Sequence, residues 1–190
     1  MQQPQLEQHP QLPPSAWFPA LKERGGQPHP VPARTLLTLK RVLLTGMSGT
    51  GKSSVIRALA ARGDKAVDTD DGWSESLPDG RQRWREDAIR ALLATEDADV
   101  LFIAGCEENQ AQFHPQFDHI ILLSAPPVTL VERLARRSSN SYGKTPEELR
   151  RVLHDLKTVE PVLRRAADHE VRTTMPLTEV VSTVLRLVDP

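Results

Sequence analysis

Residues 40–45, KRVLLT, form an apolar run, and the chain then places three glycines, one lysine and several hydroxyl side chains in TGMSGTGKSS, 45–54. Such a stretch suits neither a helix nor a strand. Glycine permits backbone conformations denied to other residues and lets the main chain approach a ligand closely. Residues Gly46 to Ser53 fit the spacing G-x-x-x-x-G-K-[ST] between an expected strand and an expected helix. In that context successive N–H groups point into one concavity, backed by the positive end of the following helix. The ligand read from this pattern is a nucleoside triphosphate with Mg²⁺. Gly46, Ser48, Gly49, Thr50, Gly51 and Ser54 cradle the phosphates, Lys52 reaches the β- and γ-phosphates, and the Ser53 hydroxyl is placed to hold the metal.

Beyond the loop, short apolar runs alternate with amphipathic stretches. Strands are expected at 40–45, 65–70, 99–105, 117–125 and 169–174, and helices at 53–63, 83–94 and 127–137. Leu149, Val152, Leu153, Leu156 and Val159 share a further helical face, which Pro161 kinks or restarts, and a last helix runs from Leu177 to Val188. Alternation of this kind, with central strands apolar on both faces, predicts an α/β fold: a parallel sheet covered on both sides, in three layers. Residues 1–36 differ. They hold half of the 16 prolines among Gln and His, without apolar periodicity. They read as a disordered Pro/Gln-rich tail and a candidate protein-interaction segment, with Trp17, Phe18 and Leu21 as its only apolar cluster. The domain proper then covers 37–190.

Composition narrows the remaining classes. A formal net charge of −1 announces no nucleic-acid partner, and no apolar run is long enough to span a membrane. The single cysteine, Cys106, rules out an internal disulfide. A cytoplasmic protein is expected. Sequence also separates classes of phosphate-loop protein. The guanine-reading N-K-x-D tetrapeptide is absent, and the run VLFIAG ends in Gly105-Cys106 rather than in Asp-Glu. Instead VDTDDGW, 67–73, sets carboxylates immediately after the second strand, on the side where ligands gather in doubly wound sheets. On a continuing extended backbone Asp68 and Asp70 share a face. One holds Mg²⁺ through water, and the other orients or deprotonates an attacking hydroxyl.

GMSGTGKSS followed by Asp68-Thr69-Asp70 resembles the small-metabolite kinases of the shikimate kinase and gluconate kinase group, within the nucleoside-monophosphate-kinase-like branch of P-loop folds. The resemblance covers roughly residues 40–188. It implies a five-stranded parallel sheet of order 2-3-1-4-5, ATP at the loop, and a mobile lid near 137–146. It further implies that Asp70 contacts the acceptor hydroxyl and that Asp68 serves the metal. ERLARRSSNSYGK, 132–144, is similar to the family's lid entrance, so Arg137 lies against adenine and Lys144 covers the phosphates, with Arg133 or Arg136 assisting.

Departures from the group matter for the acceptor. GCEENQAQF, 105–113, stands where shikimate kinases carry a glycine triplet, and Gly72-Trp73 stands where gluconate kinases carry histidine. GRQRWRED, 80–87, is similar to the gluconate kinase acceptor region, with Arg81, Arg83 and Arg85 available for an anion. Asp70, Arg83 and Gly105 are therefore the acceptor-side candidates, and Glu107 and Glu108 oppose an acidic acceptor. The expected activity is transfer of the ATP γ-phosphate to a hydroxyl of a small metabolite, with Lys52, Asp70 and Arg137 as the catalytic set. The alternatives are a nucleotide-binding regulatory ATPase and a nucleoside or nucleotide kinase.

Overall fold

In a computed structural model of the chain, residues 39–78, 82–138 and 142–189 are described. The expected tail at 1–36, with Trp17, Phe18 and Leu21, lies outside them, as do Arg81 and the lid residues Ser139, Asn140 and Ser141. The fold grows from β1 (Lys40–Thr45), whose last four residues are buried. Alternate side chains of β1 serve opposite faces of the sheet. Val42 and Leu44 meet Val55, Ile56 and Leu59 of α1 (Lys52–Ala61) and the valines of α6 (Leu177–Val188). Leu43 meets the other layer, around Trp84, Phe113 and Ile89 of α2 (Glu86–Leu93).

β1 pairs in parallel with β5 (Val100–Ala104) on one side and β6 (His119–Ser124) on the other. β2 (Lys65–Asp68) adds outside β5, and β7 (His169–Arg172) outside β6. Numbered within this sheet alone, the strand order is 2-3-1-4-5. The three-layer α/β fold and its strand order are those expected. Helix α3 (Pro127–Arg136) follows β6, and α4 (Pro146–Thr158) starts in a capping box between Thr145 and Glu148. At Pro161 the helical path restarts, as expected, giving α5 (Glu160–Ala166). No helix among the described residues is long and apolar enough to cross a membrane.

The helix expected at 83–94 is shorter than read. It begins at Glu86, and the preceding residues form β4 (Gln82–Trp84), paired antiparallel with β3 (Ser74–Ser76). Tertiary bonds hold Trp84 extended. Asn109 Oδ1 accepts from its N–H at 2.8 Å, and Asn109 Nδ2 donates to its carbonyl at 3.0 Å. Its indole N–H donates to Thr69 Oγ1 at 2.8 Å, and that hydroxyl donates to the Ala104 carbonyl at 2.8 Å. Trp84, fully buried against Phe113, thus ties the hairpin, the β2 end and the β5 end into one corner. Trp84→Ala should cost about 3–5 kcal/mol. Urea denaturation followed by circular dichroism checks this, and an unchanged midpoint would show that the hairpin carries no such anchor.

Candidate active site

The site begins where β1 turns into α1. Gly46 has φ +147°, and a Cβ there would lie 2.3 Å from the Leu123 carbonyl of β6, so no side chain fits. Gly51 caps α1 in the left-handed region with φ +98°. It offers no side-chain cap, and the first turn of α1 holds no acidic residue. The free N–H groups and positive end of the helix therefore face outward without an internal anion. Thr50 is buried and donates through Oγ1 to the Met47 carbonyl at 2.8 Å, pinning the bend. Lys52 Nζ spans the loop, donating to the Gly46 carbonyl at 2.6 Å and the Met47 carbonyl at 3.3 Å.

A cavity of about 620 Å³ opens in front of this bend. Ser48, Gly49, Thr50, Gly51, Lys52, Ser53 and Ser54 line it, and Asp70, Arg136 and Arg137 border it. The loop residues, Asp70 and Arg137 are thus assembled as the sequence predicts, with Gly46 behind them shaping the turn. Asp70 is an exposed residue at the edge of the cleft, with neighbouring protein packed around part of its carboxyl. That burial raises its carboxyl above the usual range more than Lys52 lowers it, with Asp68 and Asp71 adding to the rise and Arg137 opposing it. Burial likewise lowers the Arg137 guanidinium from its ordinary value, against the pull of Asp70 and Glu148. Arg137 donates through Nη2 to the Tyr142 carbonyl at 2.6 Å, while its Nε is buried without a hydrogen-bond partner.

Several expectations need correction. Asp68 and Asp70 do not share an extended face, because β2 ends at Asp68 and the chain turns. Asp68 Oδ1 accepts from the Asp70 N–H at 3.3 Å, a local bond typical of aspartate at a turn. Arg83 pairs with Glu75 across the hairpin at 2.6 Å and does not line the cavity. Gly105 is closed in: a Cβ there would lie 2.3 Å from Thr69 Oγ1 and 2.7 Å from the Trp84 ring. It is a packing glycine. Lys144 is exposed and does not line the cavity. Arg133 lines the cavity with Arg136 and Arg137, and it also braces the loop. Its Nη1 donates to the Gly49 and Thr50 carbonyls at 3.3 and 3.4 Å and to Thr173 Oγ1 at 2.9 Å, and its Nη2 donates to the Thr173 carbonyl.

Glu107, expected to oppose an acidic acceptor, was not assigned a catalytic or binding role from the sequence. It follows β5, is half-buried, and accepts a hydrogen bond from Ser74 Oγ at 3.3 Å. Burial above all, and then the Asp70 charge, push its carboxyl up, while Ser74 and Lys52 oppose the shift. Glu107 lies three residues after β5, beyond Gly105-Cys106. For a metal, the donors bordering the cavity are the Ser53 hydroxyl and the Asp70 carboxylate, with the Asp68 carboxylate at the adjoining turn. These hard oxygens fit Mg²⁺, which keeps waters and shares its shell with phosphates. No group of three or more His, Cys, Asp or Glu among the described residues is placed to hold a metal unaided.

The raised carboxyl of Asp70 has a stability consequence. Neutral pH charges a group that the fold prefers protonated. The cost appears as pH rises through the raised folded pKa and vanishes below the unfolded one. In EDTA at pH 7.5, Asp70→Asn should raise the melting temperature by about one to three degrees, as is common where a site holds strain. Scanning fluorimetry checks this, and a lower melting temperature would mean that Asp70 supports the fold.

A family model described as AAA domain matches residues 42–154, more than half of the chain. No curated protein matches the sequence significantly. Several solved structures share the fold. A shikimate kinase from Acinetobacter baumannii in complex with shikimate superposes with a TM-score of 0.62 at 18% identity, over 80% of this chain and 94% of that one. A gluconokinase from Sinorhizobium meliloti gives 0.53 at 18% identity, over 79% and 94%. A shikimate kinase from Aquifex aeolicus gives 0.54 at 17% identity, over 77% and 94%. At these identities the likeness establishes the fold, that of P-loop nucleotide-binding proteins.

Proposed function

The chain belongs to the AAA domain family, and from that premise we propose that it is an ATP-dependent kinase that phosphorylates a hydroxyl of a small metabolite. One observation carries the reading: Asp70 borders the same cavity as the glycine loop and stands in the electrostatic field of Lys52 and Arg137. That is where a base must stand to receive the proton of an attacking hydroxyl. The solved shikimate kinase, gluconokinase and shared fold support the same class of acceptor.

In the proposed reaction the loop amides and Lys52 hold the β- and γ-phosphates. The acceptor oxygen forms a bond to the γ-phosphorus as the bond from that phosphorus to the β,γ-bridging oxygen breaks, and ADP keeps the electron pair. The hydroxyl proton passes to the Asp70 carboxylate and then to solvent. Arg137, which borders the cavity, offers its guanidinium charge to the transferring phosphoryl oxygens. Mg²⁺, held by Ser53 and Asp68, would supply charge neutralisation across the phosphate oxygens. Positioning and preorganised charge do most of the work, since this transition state asks for little covalent help. Dependence on ATP agrees with a cytoplasmic location, which we propose with it.

Glu107 favours a second reading. A carboxylate after β5, the neighbour of the central strand, and in the field of Lys52 also suits an ATPase that activates water. Calorimetry and ADP-release assays separate the two. Lys52→Ala should weaken Mg·ATP binding at least tenfold on either reading. Asp70→Asn should keep ATP affinity within about threefold but cut acceptor-dependent turnover by about a hundredfold or more. Wild-type turnover in Asp70→Asn would remove Asp70 as the base and leave the ATPase reading standing.

A further inference from the structure

Asp70 is exposed, and Lys52, Asp68, Asp71 and Arg137 act on its carboxylate through charge rather than through hydrogen bonds. A base of that kind is placed only as well as the main chain that carries it. Residues 68–71 form a turn, closed by the Asp71 N–H donating to the Asp68 carbonyl at 3.3 Å, with Thr69 and Asp70 at its two corners. The Asp70 N–H reaches Asp68 Oδ1, inside the same turn. Strand pairing holds Asp68 beside Ala104. Beyond the strand, the next anchor is Thr69.

Thr69 is fully buried, and its polar atoms are engaged. Its N–H donates to the Ala104 carbonyl at 2.9 Å, and its Oγ1 donates to the same carbonyl at 2.8 Å. The hydroxyl accepts in return from the Trp84 indole N–H at 2.8 Å, and its own carbonyl accepts from Ser74 Oγ at 3.3 Å. One residue thus ties the turn to β5, β3 and β4. Trp84 is not free to follow a displaced Thr69. Asn109 grips its main chain at both N–H and carbonyl, and its ring packs on Phe113. Gly105 closes another side, passing so near Thr69 Oγ1 that a Cβ would lie 2.3 Å from it. A hydroxyl that donates once and accepts once in such surroundings has one orientation.

We propose that Thr69 is a positioning residue for phosphoryl transfer: its hydroxyl, fixed by the Trp84 indole N–H, holds the 68–71 turn so that the Asp70 carboxylate stands before the glycine loop. This rests on the kinase reading and deepens it. The β3–β4 hairpin then acts on the reaction without touching substrate, through a bond spanning 15 residues of sequence. Misplacing a base by about 1 Å costs on the order of a hundredfold in rate, so slack in this turn appears in kcat.

The test is ADP release by the full chain with Mg·ATP and four probe acceptors, glucose, glucosamine, gluconate and shikimate, each measured above the water-only rate. Calorimetric stoichiometry for Mg·ATP sets the concentration of competent protein. Thr69→Val keeps the shape and removes the hydroxyl. With the best probe it should lower kcat at least about tenfold, with the Kd for Mg·ATP within about threefold, and Thr69→Ser should restore kcat to within about threefold. In an Asp70→Asn background, Thr69→Val should cost less than about twofold more, because a residue acting through Asp70 has nothing left to position. Equal losses in both backgrounds, or an unchanged kcat in Thr69→Val, would overturn the proposal. Should Thr69→Val fail to fold, Trp84→Phe, which removes the indole N–H and keeps an aromatic ring, goes through the same cycle with the same expectation. If no probe raises ADP release, the kinase reading fails, and crystal structures decide the positioning alone. The Asp70 carboxylate should then shift by about 1 Å or more in Thr69→Val and superpose on wild type in Thr69→Ser; an unmoved carboxylate in Thr69→Val sinks it.

Discussion

The whole arrangement depends on how closely the chain passes β6 as it leaves β1. At Gly46 the main chain runs so near the Leu123 carbonyl that a single added carbon would collide with it. That contact sets the loop's starting point, and the left-handed turn at Gly51 sets its end. Between them the backbone has little freedom, so the amides after Gly49 face the cleft by construction. The central position of β1, flanked by β5 and β6, makes the bend rigid, because both neighbours are themselves buried in the sheet. Arg133 adds an outer clamp by joining two loop carbonyls to Thr173 past the end of β7. A flexible loop would have to order its amides at the moment of binding, and that entropy would come out of the affinity.

Charge is distributed across this scaffold with a clear polarity. Lys52, Arg136 and Arg137 border the cavity on the loop side. Asp68, Asp70, Asp71 and Glu107 gather where β2 and β5 end. The strand ends bring them together because a parallel sheet aligns all its carboxyl ends on one edge. Asp70 feels both populations. Burial and its acidic neighbours push its carboxyl up, while Lys52 and Arg137 hold it down. A carboxylate balanced in that way is a better proton acceptor than one in water, and it is less comfortable in the fold.

The elements legible in the sequence were those with strong periodicity. β1, β5 and β6 are uniformly apolar because both faces are covered, and α6 repeats valine and leucine at helical spacing. The phosphate loop was legible because its glycines answer a geometric demand that few other residues meet. The hairpin of β3 and β4 was missed, since Ser-Glu-Ser and Gln-Arg-Trp have no alternating apolar pattern and are fixed by bonds from Thr69 and Asn109 far along the chain. The Pro-Asp-Gly sequence at 78–80 was the available turn signal. Arg83 and Gly105 looked functional in one dimension; their partners, Glu75 and Trp84, become visible only when the strands pair. Glu107 was legible as an acid on the acceptor side, but its partial burial and its bond from Ser74 become visible only in the fold.

The most direct measurement of the central claim is a crystal structure of the chain with Mg²⁺ and a non-hydrolysable ATP analogue. The account predicts β- and γ-phosphate oxygens within hydrogen-bonding distance of the backbone N–H groups of residues 49–53, with Lys52 Nζ on the same phosphates and the Asp70 carboxylate facing the γ-phosphorus. An analogue bound elsewhere, or bound at the loop with Asp70 turned away from the γ-phosphate, would contradict it.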